Sequence, residues 1–144
     1  MRVDVALTLF LSLSLSVAFS PWWNPWSYSL SALGSCSNGL GAIAFNGGLA
    51  LTSWELSNSR GLLKFVALLT ALVAAINIDF GIAHTLIATG LFLTLLLFMF
   101  QRDTLGKIGA ITSLALWLAH FLLGIPPGIA IPELYTVFWA ILLA

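Results

Sequence analysis

Charge is what this sequence most lacks. Of its 144 residues only 7% are charged, five Lys and Arg against five Asp and Glu, whereas 60% are hydrophobic. The mean hydropathy is +1.08. A soluble domain of this size needs far more charge to cover its surface, whereas a surface in contact with lipid needs none. The formal net charge is zero and no basic run is present, which argues against nucleic acid as a partner. Cys36 is the only cysteine, so an intrachain disulfide and a thiolate cage for zinc or an iron–sulfur cluster are both excluded. The expected organisation is one transmembrane helical domain over residues 1–144, with no room for a soluble appendage.

What the sequence does have is apolar runs, separated by Pro, Gly, Ser and the few charges. Six are expected as helices of an all-α polytopic transmembrane bundle, at 3–20, 39–57, 61–78, 82–100, 105–124 and 129–144. The first resembles a signal peptide in its Ala18-Phe19-Ser20 end, but Asp4 interrupts the basic n-region, and a retained helix is the favoured reading. Residues 21–36, with Pro21, Pro25 and several serines, form a polar and aromatic loop. Gly39, Gly41, Gly47 and Gly48 make the second helix suited to close packing inside the bundle, and Ala67, Ala71 and Ala75 give the third a similar face. Pro126-Pro127-Gly128 ends the fifth. The sixth is short for the roughly 30 Å of hydrocarbon that a span must cross.

Threading six runs alternately through a bilayer brings Arg2, Arg60, Lys64, Arg102 and Lys107 to one face. The positive-inside rule makes that face cytoplasmic, with both termini on it, in a multi-pass protein of the cell membrane. Trp22, Trp23 and Trp26 then fall at the opposite interface, where indole rings are favoured.

The extracytoplasmic face lacks a cation yet holds four titratable residues: Asp79 at the third turn, His84 opening helix four, His120 closing helix five, and Glu133 opening helix six. The chain's only two histidines lie 18 residues either side of Arg102, so two antiparallel helices bring them to the same depth. Two histidines with one or two carboxylates suit a cation site or an acid–base pair. Each residue also has a structural reading. Asp79 can cap helix four, Glu133 can pair with its own helix dipole, and a histidine near an interface can be a solvated polar tip. Asn46, with no partner in lipid, is expected to bond to protein, and Asn24 belongs to the loop.

The order of the polar segments resembles a known family. Asn24-Pro25-Trp26-Ser27-Tyr28-Ser29 is followed by Ser31-Ala32-Leu33-Gly34, Ser37-Asn38-Gly39 and Phe45-Asn46-Gly47-Gly48-Leu49. Further on come Ile78-Asp79-Phe80-Gly81-Ile82-Ala83-His84 and Gly128-Ile129-Ala130-Ile131-Pro132-Glu133. The pattern is similar to the six-helix prokaryotic membrane family catalogued as domain of unknown function 998. It covers nearly all of the chain after helix one. Where the family has a Ser-Asp-Leu-Gly loop, this chain has Ala32 in place of the acid. The resemblance implies a fold and a set of site positions, and no reaction.

Several readings of function compete. The leading one is a small non-catalytic component of a membrane assembly, or one that interacts with lipid, in contact with membrane lipid, a membrane-protein partner or a second copy of itself. The alternative is a divalent metal or hydrolytic site at the outer face, built from Asp79, His84 and His120 with Glu133 nearby; zinc is the metal that such ligands suit. A lesser alternative is a haem held by His84 and His120. A transporter is a fourth reading, weakened by the absence of an inverted repeat between residues 1–78 and 79–144.

Overall fold

A computed structural model describes residues 3–144. Six α-helices follow in order: α1 (Val3–Ala18), α2 (Leu40–Leu56), α3 (Leu62–Ala75), α4 (Ile82–Phe100), α5 (Thr104–Leu123) and α6 (Ala130–Leu143). No strand occurs among the described residues. Each expected run has its helix, and the boundaries differ by three residues at most. The largest difference is at the end of α3, expected to reach residue 78. The backbone leaves the helix at Ile76, and the Asn77 side chain accepts the N–H of Asp79 to cap a 3-10 turn over Ile78–Phe80. A side chain that satisfies the next turn's amide competes with continuation of the helix.

Consecutive helices pack side by side, and α4 also packs against α6. This order places the turns at 57–61 and 101–103 at one end, here the turn end. The segments 19–39, 76–81 and 124–129 meet at the other, the loop end. Arg60, Lys64, Arg102 and Lys107 all belong to the turn end, while Arg2 lies outside the described residues. The apolar core leans towards the turn end, where Val5, Leu56, Phe98, Met99, Ala110 and Ala140 are buried together.

Two packing devices hold the outer pairs. Thr8, Ser12 and Ser16 on α1 and Ser20 just beyond it recur every four residues and meet α2. Ser16 donates to the carbonyl of Gly41 at 2.7 Å, Thr8 donates to Glu55 at 2.6 Å, and a Cβ on Gly48 would collide with Ser12. A hydroxyl stripe against glycines lets the helices touch along their backbones. Between α5 and α6 the device is aromatic: Gly109 makes room for the Trp139 ring, which an added Cβ would meet at 2.8 Å.

The outer surfaces of α4 and α5 are built differently from a soluble helix. Only about a third of α4 and a fifth of α5 is buried (33% and 22%), and these two are long and apolar enough to cross a bilayer. Leu86, Leu93, Phe100, Ile111, Phe121 and Leu122 all face outward. In a monomeric soluble protein an apolar surface this extensive is rare. The remaining helices are shorter. At 14 residues, α3 and α6 are about 21 Å long by the helical rise.

Candidate functional site

The loop between α1 and α2 is seated in the bundle rather than draped over it. Two 3-10 turns, Leu30–Gly34 and Cys36–Asn38, are capped by Ser29 and Ser35, whose hydroxyls accept the amides of Ala32 and Ser37. Short serine-capped turns of this kind hold a polar segment compact without a long helix. Around them, side chains from four other parts of the fold reach in. Asn46 of α2 donates to the carbonyl of Gly34 at 2.9 Å. Asp79 accepts the Ser35 hydroxyl at 2.8 Å and the Cys36 amide at 2.6 Å. Glu133 of α6 accepts the Leu30 amide at 2.6 Å. Ser20, at the end of α1, hydrogen-bonds Asn38, which also donates to the carbonyl of Leu33.

The tip of the loop is therefore buried. Leu33 is 0% exposed, and a Cβ on Gly34 would meet Asn46 Oδ1 at 2.6 Å and the Phe45 ring at 3.0 Å. Upstream, the amides of Gly128 and Ala130 donate to the carbonyls of Trp26 and Tyr28, which fastens the loop to the start of α6. Asn24 stays local: its side chain accepts the amide of Ser27, three residues on.

Of the four titratable candidates, Asp79 does not cap α4. The N-cap of that helix is Gly81, and no side chain caps it. The carboxylate instead clamps the loop, and the Cys36 amide, then the Ser35 hydroxyl, hold its pKa below the ordinary value of 3.8. His84 is 4% exposed and turned inward beneath the loop. Its Nδ1 lies 2.6 Å from the carbonyl of Ile76 and its Nε2 2.8 Å from Ser31 Oγ. A carbonyl only accepts, so Nδ1 carries the proton, and on the neutral ring Nε2 is left to accept from the serine hydroxyl. His120 turns elsewhere, its Nδ1 donating to the carbonyl of Pro126 at 2.7 Å while its ring edges against Phe121.

With these partners the structure does not gather Asp79, His84 and His120 at one point. Among the described residues no three His, Cys, Asp or Glu side chains come together as a group that could hold a metal ion. Each histidine ring is drawn to a carbonyl of its own neighbouring loop, His84 to Ile76 and His120 to Pro126. Both ring nitrogens of His84 have partners within the chain. Glu133 is 2% exposed and lies in the first turn of α6 as expected, and its bond to Leu30 adds a partner that the sequence did not suggest.

Beneath the seated loop lie two apolar grooves. The first, of about 410 Å³, opens between α1 and α6 and is backed by Phe45, Leu91 and Phe92. The second, of about 350 Å³, runs between α4 and α5 past Leu93, Leu96, Trp117 and Phe121. Ser31, Ala88, Phe92 and Glu133 line both, so the grooves meet under the loop at one hydroxyl and one carboxyl group. His84 lines the second. Neither groove has a Lys or Arg on its wall.

Ser31 was not singled out from the sequence, because it is one of several serines in a polar loop and its partner is 53 residues away. The hydroxyl stripe of α1 was legible in principle as a period of four, but it is masked by the leucines between. The small-residue face of α2 is taken up by α1 and the loop within the chain, so it does not by itself call for a partner protein. No family model, no curated protein and no solved structure matches this chain.

Proposed function

We propose that this chain is a multi-pass membrane protein that binds the acyl chains of a lipid, with an uncharged headgroup held beneath the seated loop. The observation that carries this reading is the meeting of two apolar grooves at Ser31 and Glu133. Pockets of a few hundred Å³ with apolar walls and few polar groups are typical of small-molecule sites. Here the grooves open between helices whose own outward faces are apolar, so an acyl chain enters from surroundings like itself. The headgroup follows from charge. With no cation on the walls and a carboxyl group at the junction, an anionic headgroup finds no counter-ion, whereas a hydroxyl or ester finds donors and acceptors.

The membrane placement belongs to the same proposal. All six helices cross or enter the bilayer of the cell membrane, with α4 and α5 as full spans and the 14-residue α3 and α6 completed by their flanking loops. The turn end, with Arg60, Lys64, Arg102 and Lys107, faces the cytoplasm. The loop end and its exposed Trp22 and Trp26 face the outer interface. The likeness to the domain of unknown function 998 family supports this arrangement, since the residues that carry it, Ser31, Gly34, Asn46, Asp79, His84 and Glu133, are those that seat the loop.

A photoreactive fatty-acyl probe, added to the purified protein in mild detergent, tests the binding reading. Cross-links are expected on peptides from α1, α4 and α6 that line the grooves, and competition by a neutral diacylglycerol is expected to remove them. Cross-links spread evenly over the outer faces of all helices would overturn it. The exposed Cys36 reports the topology, because a membrane-impermeant maleimide should label it on intact cells. Labelling only after lysis would reverse the orientation.

A further inference from the structure

The contact between Ser31 and His84 is built like a nucleophile with its base. Three groups stand in sequence: the Ser31 hydroxyl, the His84 imidazole 2.8 Å away through Nε2, and the Ile76 carbonyl 2.6 Å from Nδ1. The carbonyl orients the ring by accepting from Nδ1–H, and on the neutral imidazole the Nε2 lone pair is then directed at the serine hydroxyl. A hydroxyl, a base within hydrogen-bond reach and a third group that orients the base are the recognisable parts of an activated serine. Most acyl-transfer sites use a carboxylate as the third group, but the role is to hold the imidazole, and a main-chain carbonyl can hold it too.

Position strengthens the case. Ser31 is half-buried and lines both grooves, so its oxygen borders the space where an acyl chain and its ester would lie. Its neighbour Leu30 is fixed by Glu133, and Gly34 by Asn46, so the serine sits on a segment pinned at both sides. The Ile76 carbonyl is available because the backbone leaves α3 there, with φ −107° and ψ 77°. Were Ser31 only a loop anchor, a side chain directed at main chain would serve, as those of Asn46 and Glu133 do.

We propose that Ser31 and His84 hydrolyse the ester bond of a neutral acyl lipid bound in the grooves, which rests on the lipid-binding reading above. The Ser31 oxygen attacks the ester carbonyl carbon while its proton passes to His84 Nε2. The carbon–oxygen bond to the lipid alcohol then breaks, the alcohol takes the proton from Nε2, and the acyl group remains on Ser31. Water attacks this acyl-serine and gives its proton to Nε2. The acyl–serine bond breaks, the proton returns to the serine oxygen, and the fatty acid leaves. Ile76 acts only through its carbonyl, as a positioning group.

A fluorophosphonate probe, which forms a stable bond only with an activated serine, tests the proposal on the full chain in detergent. Peptide mass analysis of the wild type should show the adduct on Ser31, and Ser31→Ala should carry none. His84→Ala should slow labelling by roughly 100-fold or more, the usual contribution of a general base, and added imidazole should restore part of the rate. Imidazole rescue is not expected of a residue that only anchors a loop. The photoreactive acyl probe, run in parallel, separates this claim from the binding claim. Groove cross-links without a Ser31 adduct reject the nucleophile and leave lipid binding standing. An adduct without cross-links keeps the nucleophile and rejects an acyl lipid as its substrate, and the absence of both rejects the two together.

Discussion

The two ends of this bundle are closed by different means. At the turn end several contacts are local, with Asp103 capping α5 by accepting the amide of Gly106, the Ser57 hydroxyl donating to the carbonyl of Trp54, and Arg102 over the Phe98 ring at 4.6 Å, while Thr8 reaches Glu55 across 47 residues. At the loop end the closing contacts join distant parts of the chain, Asp79 to Ser35, Ser31 to His84 and Leu30 to Glu133, separated by 44, 53 and 103 residues. The turn end sits on a dense apolar core, and the loop end covers two grooves. A separately folded loop, tied at its rim, closes an end and leaves space inside.

That contrast can be broken most sharply at Gly34. Gly34→Val should cost about 3 kcal/mol, because the new side chain must displace Asn46 or the Phe45 ring from a packed position. Thermal unfolding in detergent would measure the loss, and limited proteolysis within residues 21–38 should accelerate with it. Glu133→Ala should cost about 2 kcal/mol by leaving the Leu30 amide without its acceptor, and Glu133→Gln should recover part of that through its side-chain carbonyl. At the turn end, Asp103→Ala should cost about 1 kcal/mol as a lost helix cap. Unlike the first two, it should leave the protease sensitivity of residues 21–38 and the acyl cross-links unchanged. Equal effects of Asp103→Ala and Glu133→Ala on those two readouts would dissolve the distinction between the ends.

The smallest effect expected is a pH dependence at Asp79. Its pKa is lowered in the folded chain by the Cys36 amide and the Ser35 hydroxyl, so its contribution to stability is present above the unfolded value, near 3.8. That contribution is lost as pH falls through the lower folded value. The difference in melting temperature between wild type and Asp79→Asn should therefore be constant at neutral pH and shrink in acid below that value. A difference that grew on acidification would show that the carboxylate is not what clamps Ser35 and Cys36.

The same contrast explains what the sequence made legible. Helix positions follow from apolar runs and their punctuation by Pro and Gly, and the basic residues of the turn end reveal themselves as short clusters, Arg60 with Lys64 and Arg102 with Lys107. Asp103 before Thr104 is a local signal of the same kind. The importance of Asn46, Asp79, His84 and Glu133 could be suspected from their rarity in an apolar chain. Their partners could not. Periodicity states how far along a helix a residue lies, but not which distant serine or amide will sit opposite it. Helical rise fixes the height of His84 and His120 and leaves rotation open, and each ring bonds a different loop, His84 to Ile76 and His120 to Pro126. For Asp79 the sequence offers a helix cap and a metal or acid–base group as alternatives, and neither names Ser35 or Cys36. Its actual partners belong to a loop that sequence alone gave no reason to fold inward.

The bond between Leu30 and Glu133 also has a consequence in time. Chains are made from the N-terminus, so the Leu30 amide is synthesised 103 residues before its acceptor. Until the last helix arrives, the segment that covers the grooves has only part of its fastening, and the cavity below cannot be sealed. Folding of the early helices and closure of the loop end are thus separate events, the second waiting for α6. A chain stopped before Pro132 would carry an open mouth for the whole of its life.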